Sequence, residues 1–368
     1  MEYQRLGDYI RPVDVRNRDL KVNLSQGICN AKYFQNPKQV ADNPETHKVV
    51  RTGQFAYNRA TTRNGDKISI ALREGPDCTV SSSYQVFEIV DENQWDPKYL
   101  MMWFKRPEFD RLAIFYSHGS AHEFFEWDAM CEVRLPIPSI ARQREIVEEY
   151  ETLSRRIRLN EQMIARLEET AQALYRKMFV DGIDKENLPE GWRRGRLGEI
   201  AECYDSKRRP VAGYDRDKME PSKRLYPYYG AAALMDYVDD YIFDGEYILM
   251  GEDGTVINED NTPVVQYVRG KFWVNNHAHI LKGKNGFDEN LLFLILRNAD
   301  VHELVTGGVQ AKINQENMMK IPAIIPPQDK LEKIKKQISP VFQVLYLRQQ
   351  ENSKLTELQS LLLARMGK

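Results

Sequence analysis

Between residues 142 and 178 the apolar positions Ile146, Tyr150, Leu153, Ile157, Ile164, Leu167, Ala171, Leu174 and Met178 advance in steps of four and three, with one break. The stretch holds no proline or glycine and carries a charge in nearly every turn. Such spacing is the a/d seam of a coiled coil, narrower than the stripe of a helix lying on a globular core. A lone helix laced with i,i+4 Glu/Arg pairs also reads as long and charged, but sustained a/d spacing is the more specific signal. The break falls at Asn160, an a position, where a buried amide costs stability and fixes register or partner number.

A seam predicts a partner helix, and the segment from Gln328 onward supplies one. Ile334, Ile338, Val341, Leu345, Leu355, Leu362 and Met366 repeat the rhythm, and Ile334, Ile338, Leu345, Leu355, Leu362 and Met366 each lie 188 positions after a seam residue of the first helix. The preceding sequence is also repeated. "LPIPSIARQREI" (135–146) matches "IIPPQDKLEKI" (324–334), "RLGDYI" (5–10) matches "RLGEIA" (196–201), and "GQFAYN" (53–58) matches "GEYILM" (245–250). Weaker echoes join "SSSYQVFEI" (81–89) to "NNHAHILKG" (275–283) and "KYLMMWFKR" (98–106) to "NLLFLILRN" (290–298). The chain therefore reads as a tandem duplication: two mixed α/β domains, 1–141 and 181–327, each followed by a long helix, 142–180 and 328–368.

Composition is compatible with two such domains, at 42% hydrophobic and 29% charged, and each is long enough to bury its own core. No apolar run approaches a membrane span, "MEYQRLGDYI" does not read as a signal peptide, and the cysteines at 29, 78, 131 and 203 form no Cys-x-x-Cys pair. These features suit a cytoplasmic protein and predict no zinc module. The net charge of −2 leaves nucleic-acid binding open, since that depends on where the charge lies.

Charge is locally uneven: "YNRATTRNGDK" (57–67), "RRGR" (193–196), "DSKRRP" (205–210) and "KRLYPYYG" (223–230) mix cations with Asn, Ser, Tyr and Gly. Such loops suit phosphate and base-edge contacts, although solvated basic loops look the same. Four clusters resemble catalytic or metal motifs. "DPKY" (96–99) is close to an amino-methyltransferase tetrapeptide, but Lys98 replaces its second proline, so a strand-to-helix turn is expected. "HGSAH" (118–122) and "HAH" (277–279) bring imidazoles near one another without a second ligand pair at zinc spacing. "GEDG" (251–254) lacks the lysine of a nuclease site and reads as a β-turn. No phosphate loop, catalytic triad or dinucleotide fingerprint is visible, so no catalytic, cofactor or metal residues are assigned.

"LPEGWRRGRLGEIAE" (188–202), "YPYYGAAALMDYVDDYIFDGEYILMGEDG" (226–254), "VNNHAHIL" (274–281), "SHGSAHEFFEWDAM" (117–130) and the two Pro-rich leads into the long helices resemble the specificity (S) subunits of type I restriction-modification systems. The resemblance implies a non-catalytic protein with two target recognition domains, each reading one half of a split, asymmetric site in double-stranded DNA. It also implies that the two helices form an antiparallel coiled coil that docks two methyltransferase (M) subunits. A restriction and translocase (R) subunit would join the full complex, and S-adenosylmethionine, ATP and magnesium would belong to those partners. Alternatives are a specificity subunit of a methylation-only or other restriction system, or a coiled-coil scaffold without DNA preference.

On that picture the helix pair is a ruler: a helix of about 36 residues is roughly 54 Å long, against a major-groove repeat of roughly 34 Å. Antiparallel pairing about the midpoints puts residues whose numbers sum to about 512 face to face, which predicts contact between Asn160 and Asn352, or with nearby Arg348. The expected seam comprises Ile146, Tyr150, Leu153, Ile157, Asn160, Ile164, Leu167, Leu174, Ile334, Ile338, Leu345, Asn352, Leu355 and Leu362. The expected DNA contacts are Arg59, Arg63, Asn64 and His118 in the first domain. In the second they are Lys207, Arg208, Arg209, Tyr228, Tyr229, Gln310 and Lys312.

Overall fold

A computed structural model describes residues 3–37, 43–60, 67–117, 124–181, 183–184, 186–307 and 310–366. It divides into two compact units, 1–160 with 351–368, and 161–350. Each contains a mixed α/β body and part of two long helices, Ile140–Phe179 and Gln328–Arg365.

The first unit is built on a four-stranded antiparallel sheet, ordered Ile10–Val13, Tyr84–Ile89, Phe55–Asn58, Ile70–Leu72. Strand alternation points Phe55, Tyr57 and Phe87 to one face. There Phe55 stacks on Phe87 at 4.9 Å and the ring of Phe104 meets both edge-on. Phe104 comes from helix Pro97–Phe104, whose start is the "DPKY" segment. Pro97 occupies the first turn, where its missing N–H is no loss, and the Asp96 carboxylate accepts from the N–H groups of Lys98 (2.8 Å) and Tyr99 (3.2 Å). The motif is thus a helix cap.

The second unit carries a six-stranded mixed sheet, ordered Ala201–Cys203, Ala278–Gly283, Phe243–Gly251, Val265–Val274, Tyr226–Tyr229, Leu234–Val238. Tyr226–Tyr229 runs parallel to Val265–Val274, and the other neighbours are antiparallel. Helix Glu289–Leu296, capped by Asp288, packs Leu291, Leu292, Leu294 and Ile295 into the core with Ile248, Met250 and Leu281.

The duplication has a structural counterpart in each unit. Leu6 donates its N–H to Val133 O and Leu197 donates to Ile321 O, both at 2.8 Å, while Tyr3–Arg5 pairs with Arg134–Pro136 as Arg193–Arg196 pairs with Pro322–Ile325. The repeated glycine sits at a close approach, tightest in the first unit. A side chain at Gly7 would sit 2.7 Å from Cys131 Cβ, and one at Gly198 would press on Met319 at 3.4 Å.

Within each unit the long helices pack antiparallel. In the first, Ile146 and Val147 share the core with Met366, Leu362 and Leu363; in the second, Ala171, Tyr175 and Phe179 share it with Ile334, Ile338 and Phe342. All fourteen expected seam positions are buried or half-buried. Asn160, 2% exposed, donates from Nδ2 to Asn352 Oδ1 at 2.9 Å, and Asn352 Nδ2 faces the Ile157 carbonyl at 3.4 Å. Arg156–Glu351 (2.7 Å) and Gln359–Ser154 (2.6 Å) flank the pair. Among the described residues no helix is long and apolar enough to cross a membrane.

Candidate nucleic-acid interface

In the second unit four segments converge: the turn after Ala201–Cys203, the "GEDG" loop, the start of Ala278–Gly283, and the stretch that carries Lys312 and Ile313. Asp205 caps this meeting point from a short 3-10 turn, accepting the Ile280 N–H at 2.9 Å. Its second oxygen lies 2.5 Å from His279 Nδ1, and His279 Nε2 lies 2.8 Å from the Ile313 carbonyl. A carbonyl only accepts, so Nε2 is the protonated donor there.

Arg208 spans the same cluster. Its guanidinium binds Glu252, reaches the carbonyls of Ala278 (3.0 Å) and Asn276 (3.2 Å), and sits 3.3 Å from Asp205. Lys312 approaches the other Glu252 oxygen at 3.3 Å. Burial works against the charge of Asp205, but His279 and the Ile280 N–H hold its carboxyl below the ordinary value; burial likewise opposes Glu252, which Arg208, His279 and Lys312 hold down. Both acids are therefore ionised and surrounded by cations.

Cys203, Asp205 and His279 place three potential ligand atoms within 4.8 Å of one another. The set suits a metal poorly. Both His279 nitrogens are engaged, Arg208 already brings positive charge to Asp205, and burial with the neighbouring Asp205 charge pushes the Cys203 thiol up to about 12, away from the thiolate that ligates. The two histidines of "HAH" separate, since exposed His277 binds Asp253 at 2.5 Å.

Two of the expected DNA contacts are engaged within the unit. Arg208 is committed to its own domain by partners 44 to 70 residues away, and Tyr228 is 2% exposed, with its hydroxyl accepting the Val211 N–H at 3.1 Å and its ring under Arg216. Tyr229 is half-buried against Phe272. Lys207, Arg209, Gln310 and Lys312 are exposed around the rim; Lys207 lies over the Tyr204 ring at 5.0 Å, and the Arg209 carbonyl is fixed by the Trp273 indole at 2.6 Å. Tyr214 (70% exposed, with Lys218 3.7 Å above its ring) and Tyr237 are also exposed in this unit, in segments where tyrosine is interleaved with Arg and Lys.

In the first unit Arg59 is half-exposed, 3.3 Å from Glu126 and stacked over Phe124. Arg63, Asn64 and His118, with the "HGSAH" segment, lie outside the described residues.

Each unit thus combines a mixed α/β body, an antiparallel helix pair and its own polar loops. Residues 189–357 match the family described as type I restriction modification DNA specificity domain. Over 146 residues the chain is 34% identical to a Haemophilus influenzae protein described as a type I restriction enzyme specificity subunit, an alignment spanning 39% of this chain and 36% of that protein. Over 299 residues it is 23% identical to the MjaIX specificity subunit of Methanocaldococcus jannaschii, spanning 73% of this chain and 68% of that one. Its fold is that of the type I S subunit from M. genitalium, with a TM-score of 0.58 at 14% identity, covering 100% of this chain and 96% of the other.

Proposed function

We propose that the protein is the non-catalytic DNA-reading subunit of a type I restriction-modification complex. The first unit reads one short half-site and the second reads another, and the helix pair sets the unread spacer between them. Exposed Arg and Lys contact phosphates and supply affinity that falls with salt, while a few side chains at base edges supply specificity. Surface charge on the two helices, including Glu148, Glu149, Arg155, Arg158, Glu161, Arg166, Glu168 and Glu169, is available to two methyltransferase subunits, with a restriction subunit joining them.

The observation that carries this reading is duplication with divergence. The same Leu–Gly corner and strand pair recur in both units, yet the loops around them differ in charge and aromatic content. Different loops on equal scaffolds fit a target whose two halves differ.

The test is to map methylated sites by single-molecule sequencing in cells expressing this chain with and without a cognate methyltransferase subunit. A split motif, two short blocks around a fixed gap, should appear only when both are present. Modification by this chain alone would replace the reading with an enzyme. A bound, active methyltransferase that yields no motif would replace it with a scaffold.

A further inference from the structure

The first unit contains an open cleft of about 1040 Å³. Its lining comes from four separate parts of the chain: Asn30–Lys32, Lys67, Lys105, and the helix Pro107–Ser117.

The floor is a closed ion pair. Lys32, in a left-handed turn at φ +65°, donates from Nζ to Asp110 at 2.7 Å and also to the Phe104 carbonyl, while the Ile68 N–H donates to the same Asp110 oxygen at 3.1 Å. Both side chains are more than nine-tenths buried, so this pair braces the cleft and its charges cancel.

The other cations of the lining are only weakly engaged. Lys67 has no ion-pair partner among the described residues, Lys105 has none there but lies over the Tyr150 ring at 5.0 Å, and Arg111 has a long surface contact of 3.9 Å with Glu108. Three cations thus face one cleft on a chain whose net charge is −2. At the rim, Phe115 is 74% exposed and Tyr116 51% exposed, their rings edge-to-face at 5.5 Å. Exposed aromatic rings beside a run of cations are the chemistry used to track a phosphodiester backbone and pack against its sugars or bases.

We propose that this cleft holds the phosphodiester backbone of double-stranded DNA at the half-site read by the first unit, with Lys67, Lys105 and Arg111 on phosphates and Phe115 and Tyr116 against the sugar or base. The proposal rests on the DNA-reading function above and adds Lys105, Arg111, Phe115 and Tyr116, which lie outside the loops singled out by local charge, to Lys67 at the end of one of them.

The experiment uses the full chain assembled with its methyltransferase subunits and a fluorescent duplex bearing the mapped target, titrated across a potassium chloride series. For the variant K67Q/K105Q/R111Q, the slope of log affinity against log salt should fall by about 2 to 3, because each lost phosphate contact removes roughly 0.9. The affinity loss should be similar on target and non-target duplexes. A second variant, F115S/Y116S, should keep the wild-type slope while losing affinity for the target. Both variants alter exposed side chains and spare the buried Lys32–Asp110 pair, so their thermal unfolding should match the wild type. An unchanged slope and affinity in the triple variant, with the wild type binding normally, would overturn the cleft assignment alone. A wild-type assembly with no salt-dependent DNA binding would overturn the DNA-reading function, and the cleft assignment with it.

Discussion

Replacing Asn160 and Asn352 together by leucine should stabilise the protein, whereas either change alone should do little. The native pair consists of one almost fully buried amide and one half-buried amide joined at 2.9 Å. A neutral hydrogen bond contributes about 1 kcal/mol net, and a buried amide left without its partner costs about 1–3 kcal/mol. A leucine buried at position 160 gains about 2 kcal/mol, and one at the half-exposed position 352 about 1 kcal/mol. Each single variant therefore comes out near zero. The double variant, which strands neither amide, should gain about 2 kcal/mol, or about 4–8 °C for a unit of this size. Thermal unfolding of the four proteins in a double-mutant cycle reads both effects, with a coupling of about 1–2 kcal/mol expected. Register is read separately by S154C/Q359C cross-linking, since those side chains meet at 2.6 Å in the native pairing; the leucine pair should lower the yield by permitting slipped alignments. A double variant that melts at or below the wild-type temperature would refute the reasoning.

Three further outcomes are expected. The variant K207Q/R209Q should lower the salt slope of DNA binding by about 2, while Arg208→Ala should chiefly destabilise the fold, because its guanidinium closes an internal network; titrating both variants and measuring their melting temperatures separates these effects. His279→Leu leaves Asp205 buried without its imidazole partner and should cost about 3–5 kcal/mol in chemical denaturation. Asp205 and Glu252 have folded pKa values below their ordinary 3.8 and 4.5, so the stability they contribute is fully present above about pH 5 and is lost as pH falls through the folded values. Acid unfolding followed by circular dichroism should accordingly be less steep in Asp205→Asn, which would also be less stable at neutral pH.

The long helices and the duplication were legible because both are periodic signals. A seam repeats every seven residues and the copy recurs at a nearly fixed offset, so errors at single positions average out. The Asn160–Asn352 contact could be located by arithmetic because antiparallel symmetry leaves one free parameter. The interface could not be read this way. Arg208 looked available because nothing near it in sequence reveals that Glu252 and Ala278 will fold over it. Tyr228 looked exposed beside Tyr229, but strand alternation sends one inward. Lys67, Lys105 and Arg111 are separated by up to 44 positions, and the last two sit in segments with no notable local charge, so only folding brings them together.

The antiparallel return of the second long helix has a consequence for biosynthesis. Leu362, Leu363 and Met366 belong to the same hydrophobic core as Leu6, Phe55 and Ile146. At synthesis rates of about 5–20 residues per second, the stretch from Ile146 to Met366 takes roughly 10–45 s to emerge. Throughout that interval the first unit exists on the ribosome with one wall of its core missing, while the second can complete its own as soon as residue 350 is free. The second unit in the chain is thus the first able to finish folding, and the seam face of the central helix waits in water for the last residues to arrive.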